Sequence, residues 1–327
     1  MGLEIAKVGF IEPVLEGLKS AGVNPQALLH ASGLNRFRLD DPENYIPVSS
    51  MYAFFDAVCK REASSDLLEM FSDRVHLAAL SQFGEMVAHM PNVLTACQAA
   101  VKYDRALLSH ERAGFEVSGK ISRYWQYYTD HPVAGREQTD FLDLVMALDG
   151  FRLAGGPDWT PMEIHLQSKS MPNLDKLLPP GNDTRVLTGQ PATAIVFPTS
   201  MLAMPMLRQD IAPGYEDYLT NTPASQAGRI RQLFDSLDTG QKPGIRMIAE
   251  VMDLSPRTLQ RLLAEEDTTL SEVLDQWRFK TAVELLDDSG LRVKDISQRL
   301  FYSNTPNFER AFRRWTGTSP NQYRDAH

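Results

Sequence analysis

Only two cysteines, Cys59 and Cys97, occur among 327 residues, which excludes a disulfide framework. No apolar run approaches the roughly 18 residues needed to span a bilayer. The N-terminal stretch, with Glu4 and Glu12 early, lacks the basic-then-apolar layout of a secretion signal. A cytoplasmic location is therefore expected, with no membrane contact. G-x-S-x-G, Walker, G-x-G-x-x-G and zinc motifs are all missing, so the corresponding enzyme classes have no support. The histidines, at positions 30, 76, 89, 110, 131, 165 and 327, show no metal-ligand spacing. No catalytic residue, metal or cofactor is expected.

Positive charge is also in short supply. The chain holds 33 Lys+Arg against 42 Asp+Glu, a net charge of −9, unlike a general polyanion binder. Residues 225–327 hold 15 of each sign, leaving 18 basic and 27 acidic residues in 1–224. Nucleic-acid binding by the C-terminal third would need its positive charge focused on one face. What is present is ordinary globular material, 43% hydrophobic and 23% charged, which excludes long disorder. At about 150 residues per domain the length suggests two domains.

Residues 1–110 read mostly as helix, with Val14, Leu15 and Leu18 and then Met51, Phe54, Phe55 and Val58 at helical spacing. Ser49 and Ser50 are candidate N-caps. The pattern then changes. Phe115–Gly119 and the aromatic run from Ile121 to Thr129 read as strands joined near Gly119-Lys120. One face of Tyr124–Tyr128 packs inward, and the other is a candidate pocket lining. Residues 136–150 return to helix, with Phe141, Leu144, Val145 and Leu148 on one face. Residues 162–167 and 194–197 read as strands, the second stopped by Pro198. A short helix is expected at Tyr215–Leu219, then a linker and a boundary near 225. The sequence predicts an α+β N-terminal domain followed by an all-α C-terminal domain with two helix-turn-helix units joined by a long helix.

In the C-terminal third, residues 230–237 form an amphipathic helix. Ile245–Met252 and a helix capped by Ser255 with Pro256 at its first position form a helix-turn-helix. Leu259, Leu262 and Leu263 face inward, and Arg257, Gln260, Arg261 and Ala264 face outward. The shape repeats over Val293–Leu300 and a helix capped by Ser303, Asn304 or Thr305. Phe308, Ala311, Phe312 and Trp315 form its inner stripe, and Glu309, Arg310, Arg313 and Arg314 face or flank solvent. Between the units, Leu270–Asp288 reads as a rod of roughly 28 Å. Adjacent major-groove faces of B-DNA lie about 34 Å apart, so the rod suits two recognition helices on one duplex.

Residues 230–325 resemble the DNA-binding domain of the AraC/XylS family of bacterial transcription regulators. The similarity rests on Ile248-Ala-Glu-Val-Met-Asp-Leu-Ser-Pro-Arg-Thr-Leu-Gln-Arg-Leu and on Phe308-Glu-Arg-Ala-Phe-Arg-Arg-Trp-Thr-Gly-Thr-Ser-Pro-Asn-Gln-Tyr-Arg324. Residues 20–205 are similar, more weakly, to the arabinose-binding-type sensor domain of the ornithine-utilisation-regulator-like branch. The resemblance implies a sequence-specific regulator with a ligand-sensing and dimerisation domain at 1–224 and a DNA-binding domain at 225–327. It implies double-stranded promoter DNA, RNA polymerase, a second copy of the chain and a small-molecule effector as partners. Amino-acid derivatives or lipid-like molecules are the effector classes it suggests. DNA contact is implied for Arg257, Gln260, Arg261, Asn304, Thr305, Glu309, Arg310 and Arg313; the ligand residues stay open. The alternative is a ligand-independent DNA binder whose N-terminal domain serves only protein–protein contacts. Alkyltransferase repair proteins can carry the same module, but neither cysteine lies in their Pro-Cys-His-Arg setting.

The family usually has glycine where this chain has Asp253, Asp267 and Phe301. Glycine takes φ > 0 freely, Asp tolerates it and Phe resists it. The expectation is therefore that the helix ending at Leu300 runs about one residue further. The turn would re-form over Tyr302 and Ser303, with Phe301 in the core. The alternative is Phe301 at positive φ, strained by about 1–3 kcal/mol.

Overall fold

The chain divides into two compact units, one spanning Leu3–Asn35 with Leu39–Pro223, the other Ala224–His327 together with Arg36–Arg38. The computed structural model describes residues 3–62, 75–77, 80–129, 134–169, 174–206, 225–238, 243–287 and 290–326. The short helix expected at Tyr215–Leu219 lies outside the described residues.

The first unit is α+β. Strand β1 (Ile5–Lys7) and helices α1 (Glu12–Ser20) and α2 (Gln26–Ala31) lead to β2 (Tyr45–Pro47) and α3 (Val48–Glu62). β1 and β2 pair antiparallel, Ala6 opposite Ile46. This small sheet interrupts what reads in sequence as an all-helical stretch, because three-residue strands are too short to show a period of two. α3 begins at Val48, so Ser49 and Ser50 sit in its first turn rather than capping it. Helices α4 (Gln82–Ala88) and α5 (Val93–Leu107) follow. α5 starts on a capping box in which Asn92 Oδ1 accepts from Thr95 N–H and Thr95 Oγ1 accepts from Asn92 N–H.

Strands β3 (Glu111–Ser118) and β4 (Ile121–Tyr128) form a hairpin turned at Gly119, φ 61°. With β5 (Glu163–His165), β6 (Arg185–Leu187) and β7 (Thr193–Pro198) they make a sheet of order β3-β4-β7-β5-β6. All its pairs are antiparallel except β5 with β6. α6 (Arg136–Gly155) is buried on most sides along its first three turns. The expected face of Phe141, Leu144, Val145 and Leu148 is buried, but so are Asp140, Leu142, Asp143 and Met146. Gly135 lets α6 start close against α3. Its φ is 88°, and a Cβ there would lie 2.1 Å from the Tyr52 carbonyl oxygen.

The second unit is all-helical: α7 (Gln226–Ser236), α8 (Ile245–Val251), α9 (Pro256–Ala264), α10 (Leu270–Asp287), α11 (Val293–Arg299), α12 (Thr305–Thr316) and α13 (Pro320–Ala326). α8–α9 and α11–α12 are the two helix-turn-helix units. The 18 residues of α10 make a rod of about 27 Å. Leu259, Ile296, Phe308 and Phe312 are fully buried, whereas Trp315, expected in the core, is half-buried against Phe279 and Phe312. α13 closes the unit. Tyr323 sets its ring edge-on to Phe312 at 5.5 Å, and Arg324 donates to the Leu291 carbonyl at 2.7 Å.

Candidate nucleic-acid interface and ligand cavity

Each recognition helix starts where its local sequence dictates. Ser255 Oγ accepts the Thr258 N–H at 3.1 Å and Pro256 takes the first position of α9. Asn304 Oδ1 accepts the Asn307 N–H at 2.9 Å at the head of α12, again with proline in the first turn. The turns before both helices share one hydrogen-bond pattern. After α8, Asp253 N–H donates to Glu250 O and Leu254 N–H to Ala249 O; after α11, Phe301 N–H donates to Gln298 O and Tyr302 N–H to Ser297 O. Both are Schellman motifs with the left-handed position filled by a non-glycine. Asp267 repeats the pattern after α9.

All three positions have positive φ: Asp253 53°, Asp267 53° and Phe301 58°. For Phe301 this corrects the expected geometry. The helix does not run on, and the residue takes the left-handed conformation. It is nevertheless buried, at 8% exposure, with its ring stacked on Trp277 at 5.5 Å. Burial and the left-handed turn, posed in sequence as alternatives, coexist. The buried Arg278 of α10 locks the arrangement, donating Nε–H to Leu300 O and Nη2–H to Phe301 O while lying over the Tyr302 ring.

On α9, Arg257, Gln260 and Arg261 form one exposed strip. Arg257 has no hydrogen-bond or ion-pair partner among the described residues, and Arg261 pairs only with the exposed Glu265. Such a pair is weak and readily exchanged. On α12, Arg310 and Arg313 are exposed and one turn apart, Arg310 resting on Asn307 Oδ1. Asn304 is exposed but its Oδ1 is committed to the cap; Thr305 is the half-buried first residue of the helix, and Glu309 is half-buried. Arg314 turns back to Asp275 of the rod at 3.2 Å. Asn307, absent from the expected set, stands beside Arg310 on the same surface.

The first unit contains a cavity of about 80 Å³. Phe83, Val87, Val93, Leu107, Met146 and Phe151 supply apolar wall. One side is different in kind: Asp104, Glu111, Tyr124, Gln126 and Asp143 also line it. The hairpin register explains the grouping. Glu111 faces Tyr128, Ala113 faces Gln126 and Phe115 faces Tyr124, so alternate residues from both strands share one sheet face. Tyr124 thus lines the cavity from the inward face of the aromatic run. The opposite face carries Trp125 and the part-exposed Tyr127, stacked at 5.8 Å. Asp104 is satisfied by the backbone, accepting Arg105 N–H at 2.6 Å and Ala113 N–H at 2.9 Å.

Burial pushes the carboxyls of Glu111 and Asp143 well above the usual range; nearby acids add to the effect at Glu111, and a hydrogen bond from Gln126 opposes it at Asp143. Asp143 Oδ2 has no hydrogen-bond partner among the described residues. Burial alone raises the Cys97 thiol to about 12, so it stays protonated and unreactive. The sequence holds one signal for this site: Asp143 interrupts the apolar run Phe141–Met146 inside a helix, directly after Asp140.

Comparison with known proteins decides the family. Residues 22–206 match the arabinose-binding domain of AraC transcription regulators, and residues 248–326 match a helix-turn-helix domain. The chain belongs to the AraC family of transcription regulators. This AraC-family chain is 25% identical to the ornithine utilization regulator of Pseudomonas aeruginosa, over 99% of its own length and 97% of the relative's. An uncharacterized HTH-type transcriptional regulator of Mycobacterium tuberculosis is 42% identical over 86 residues, 26% of this chain and about a quarter (25%) of that protein. The crystal structure of the transcriptional regulator CdpR from Pseudomonas aeruginosa aligns over 97% of this chain and 98% of its own, with 21% identity and a TM-score of 0.45. Among the described residues of the regulator, no helix is long and apolar enough to cross a membrane.

Proposed function

We propose that the regulator binds promoter DNA as a homodimer in the cytoplasm, acts with RNA polymerase and is switched by a small molecule held in its N-terminal domain. The observation that carries the DNA reading is the pair of capped recognition helices on a rod of about 27 Å, each presenting exposed arginines. Arg257, Gln260 and Arg261 enter one major groove. Arg310 and Arg313 enter the next, with Asn304, Thr305 and Glu309 at the margin of that contact. Arginine either holds phosphate or reads guanine in bidentate fashion.

Residues 1–224 serve sensing and dimerisation, and residues 225–327 serve DNA binding. The cavity supports the sensing reading over a domain that only makes protein contacts, since a buried acid without a partner is costly unless something binds it. The effector switches the protein by preferring one arrangement of the two domains. Selection of bound duplexes from a random pool by the full-length protein tests the reading. One enriched motif is expected, made of two half-sites, each spanning two successive major grooves about one helical turn apart and each filled by one subunit, and recovery of unenriched sequence overturns it.

A further inference from the structure

Among the described residues, the cavity of the first unit is lined by three acids and by no Lys, Arg or His. An anionic headgroup entering it would meet those carboxyls and no basic side chain among the described lining residues. Asp104 is already bonded by two backbone N–H groups. Glu111 and Asp143 both line the cavity and are 5% and 4% exposed, and the buried Asp143 Oδ2 has no hydrogen-bond partner among the described residues. Nor are these acids a metal site: no group of His, Cys, Asp and Glu among the described residues is arranged to hold a metal ion. Apart from Tyr124 and Gln126, the rest of the described wall is apolar or carries only the Cys97 thiol.

We propose that this cavity is the effector site and that it takes a small organic cation, an apolar body bearing one protonated amine held by Glu111 and Asp143. The proposal rests on the reading of the first unit as the sensor. An ammonium offers three donors and one positive charge, which matches the lone pairs the site leaves open. The apolar body lies against Val87, Val93 and Met146.

Proton exchange accompanies the fit. In the empty cavity burial favours the neutral acids. Asp104 on α5 and Asp140 on α6 add negative charge around them and Tyr124 on β4 adds none. The buried cation Arg136 lies one turn before Asp140 on α6, over the Tyr128 ring opposite Glu111, and the buried His110 stacks on that same ring. A cation entering therefore drives a carboxyl proton out to solvent. Affinity for the amine rises with pH, by up to about tenfold per unit for one proton released, until the acid is ionised in the empty protein as well.

The test uses the full-length protein and three probes of equal length: hexylamine, hexan-1-ol and hexanoate. By calorimetry near neutral pH, hexylamine is expected to bind at least about tenfold more tightly than hexanol, and hexanoate not at all. Heats measured in buffers of different ionisation enthalpy should show proton release. Asp143→Asn and Glu111→Gln should each weaken hexylamine at least about tenfold with the circular-dichroism spectrum unchanged. If either variant fails to fold, proton release by the unaltered protein still decides. Failure of hexylamine to bind, equal binding of hexanol, preference for hexanoate, or binding that survives both substitutions overturns the proposal. Duplex selection with the same preparation reads the second unit independently: its success alongside a failed amine titration rejects the ligand class alone, whereas its failure rejects the DNA reading.

Discussion

The guanidinium of Arg278, buried in the rod helix, donates to the carbonyl of Phe301 at 3.1 Å and to that of Leu300 at 2.9 Å. A side chain of α10 thereby fixes the turn that aims the second recognition helix. Replacing it with methionine should destabilise the protein by about 2–4 kcal/mol, since two buried carbonyl bonds to a charged group are lost. Lysine should recover only part of this, because one ammonium does not reproduce the planar fork. Urea melts of both variants check the order arginine, lysine, methionine.

Phe301 and Asp253 share a backbone conformation and differ in surroundings, so glycine should act on them with opposite sign. At Phe301 it relieves about 1–2 kcal/mol of left-handed strain but forfeits about 3–5 kcal/mol of buried aromatic packing. The urea midpoint of Phe301→Gly should fall, by a net loss of about 1–4 kcal/mol. Asp253 is exposed, so Asp253→Gly loses no packing and should stabilise by about 0.5 kcal/mol. A rise for Phe301→Gly would show that the ring contributes little.

Arg257→Ala and Arg313→Ala should each weaken specific duplex binding by about 1–3 kcal/mol if the guanidinium is bidentate to a guanine, and relax selectivity at one base pair. If it holds phosphate instead, all sequences should weaken alike and the salt dependence should drop by about one unit of slope. Fluorescence anisotropy on matched and mismatched duplexes at several salt concentrations distinguishes the two. No change for either variant would remove that helix from the interface.

The buried acids give the first unit a definite pH response. Folded-state values for Glu111 and Asp143 lie above the unfolded ones. Their stabilising contribution is therefore complete below about pH 4, the unfolded value, and is lost as pH rises through the folded value. Asp143→Asn should flatten that decline and raise the melting temperature at neutral pH. Melting curves collected from about pH 5 to 8 on both proteins test this, and an unchanged slope would refute it.

Full-length protein should sediment as a dimer at micromolar concentration, because paired half-sites call for paired subunits. A strictly monomeric protein on and off DNA would falsify the dimer.

The second unit was readable in sequence because its signals are local. Ser255-Pro256 and the spacing of Leu259, Leu262 and Leu263 specify a capped amphipathic helix without reference to distant residues. Even the three unusual turn residues stood out, although burial of Phe301 depends on Trp277, a contact no local pattern shows. The cavity was not readable for the same reason. Glu111 reaches it from a strand and Asp143 from a helix buried on most sides, where an acid among apolar residues carries no periodicity to follow. Helical facing marks the exposed arginines, and the sequence offers Asn304 as one of three possible caps, but the choice of Asn304 among them and the partner of Arg314, Asp275, are set only in the folded structure.

Trp277 touches Phe301 on one side and Phe234 of α7 on the other, the latter at 5.5 Å, and bonds Asp235 through its indole N–H at 2.6 Å. Three rings from well-separated parts of the chain thus form one cluster, Phe301 stacked on Trp277 and Phe234 edge-on to it. Opening any segment that carries one of these rings exposes the others to water. Backbone amides in α7, α10 and the α11–α12 turn should therefore exchange with solvent deuterium through a single shared opening, while the chain ends exchange earlier by fraying.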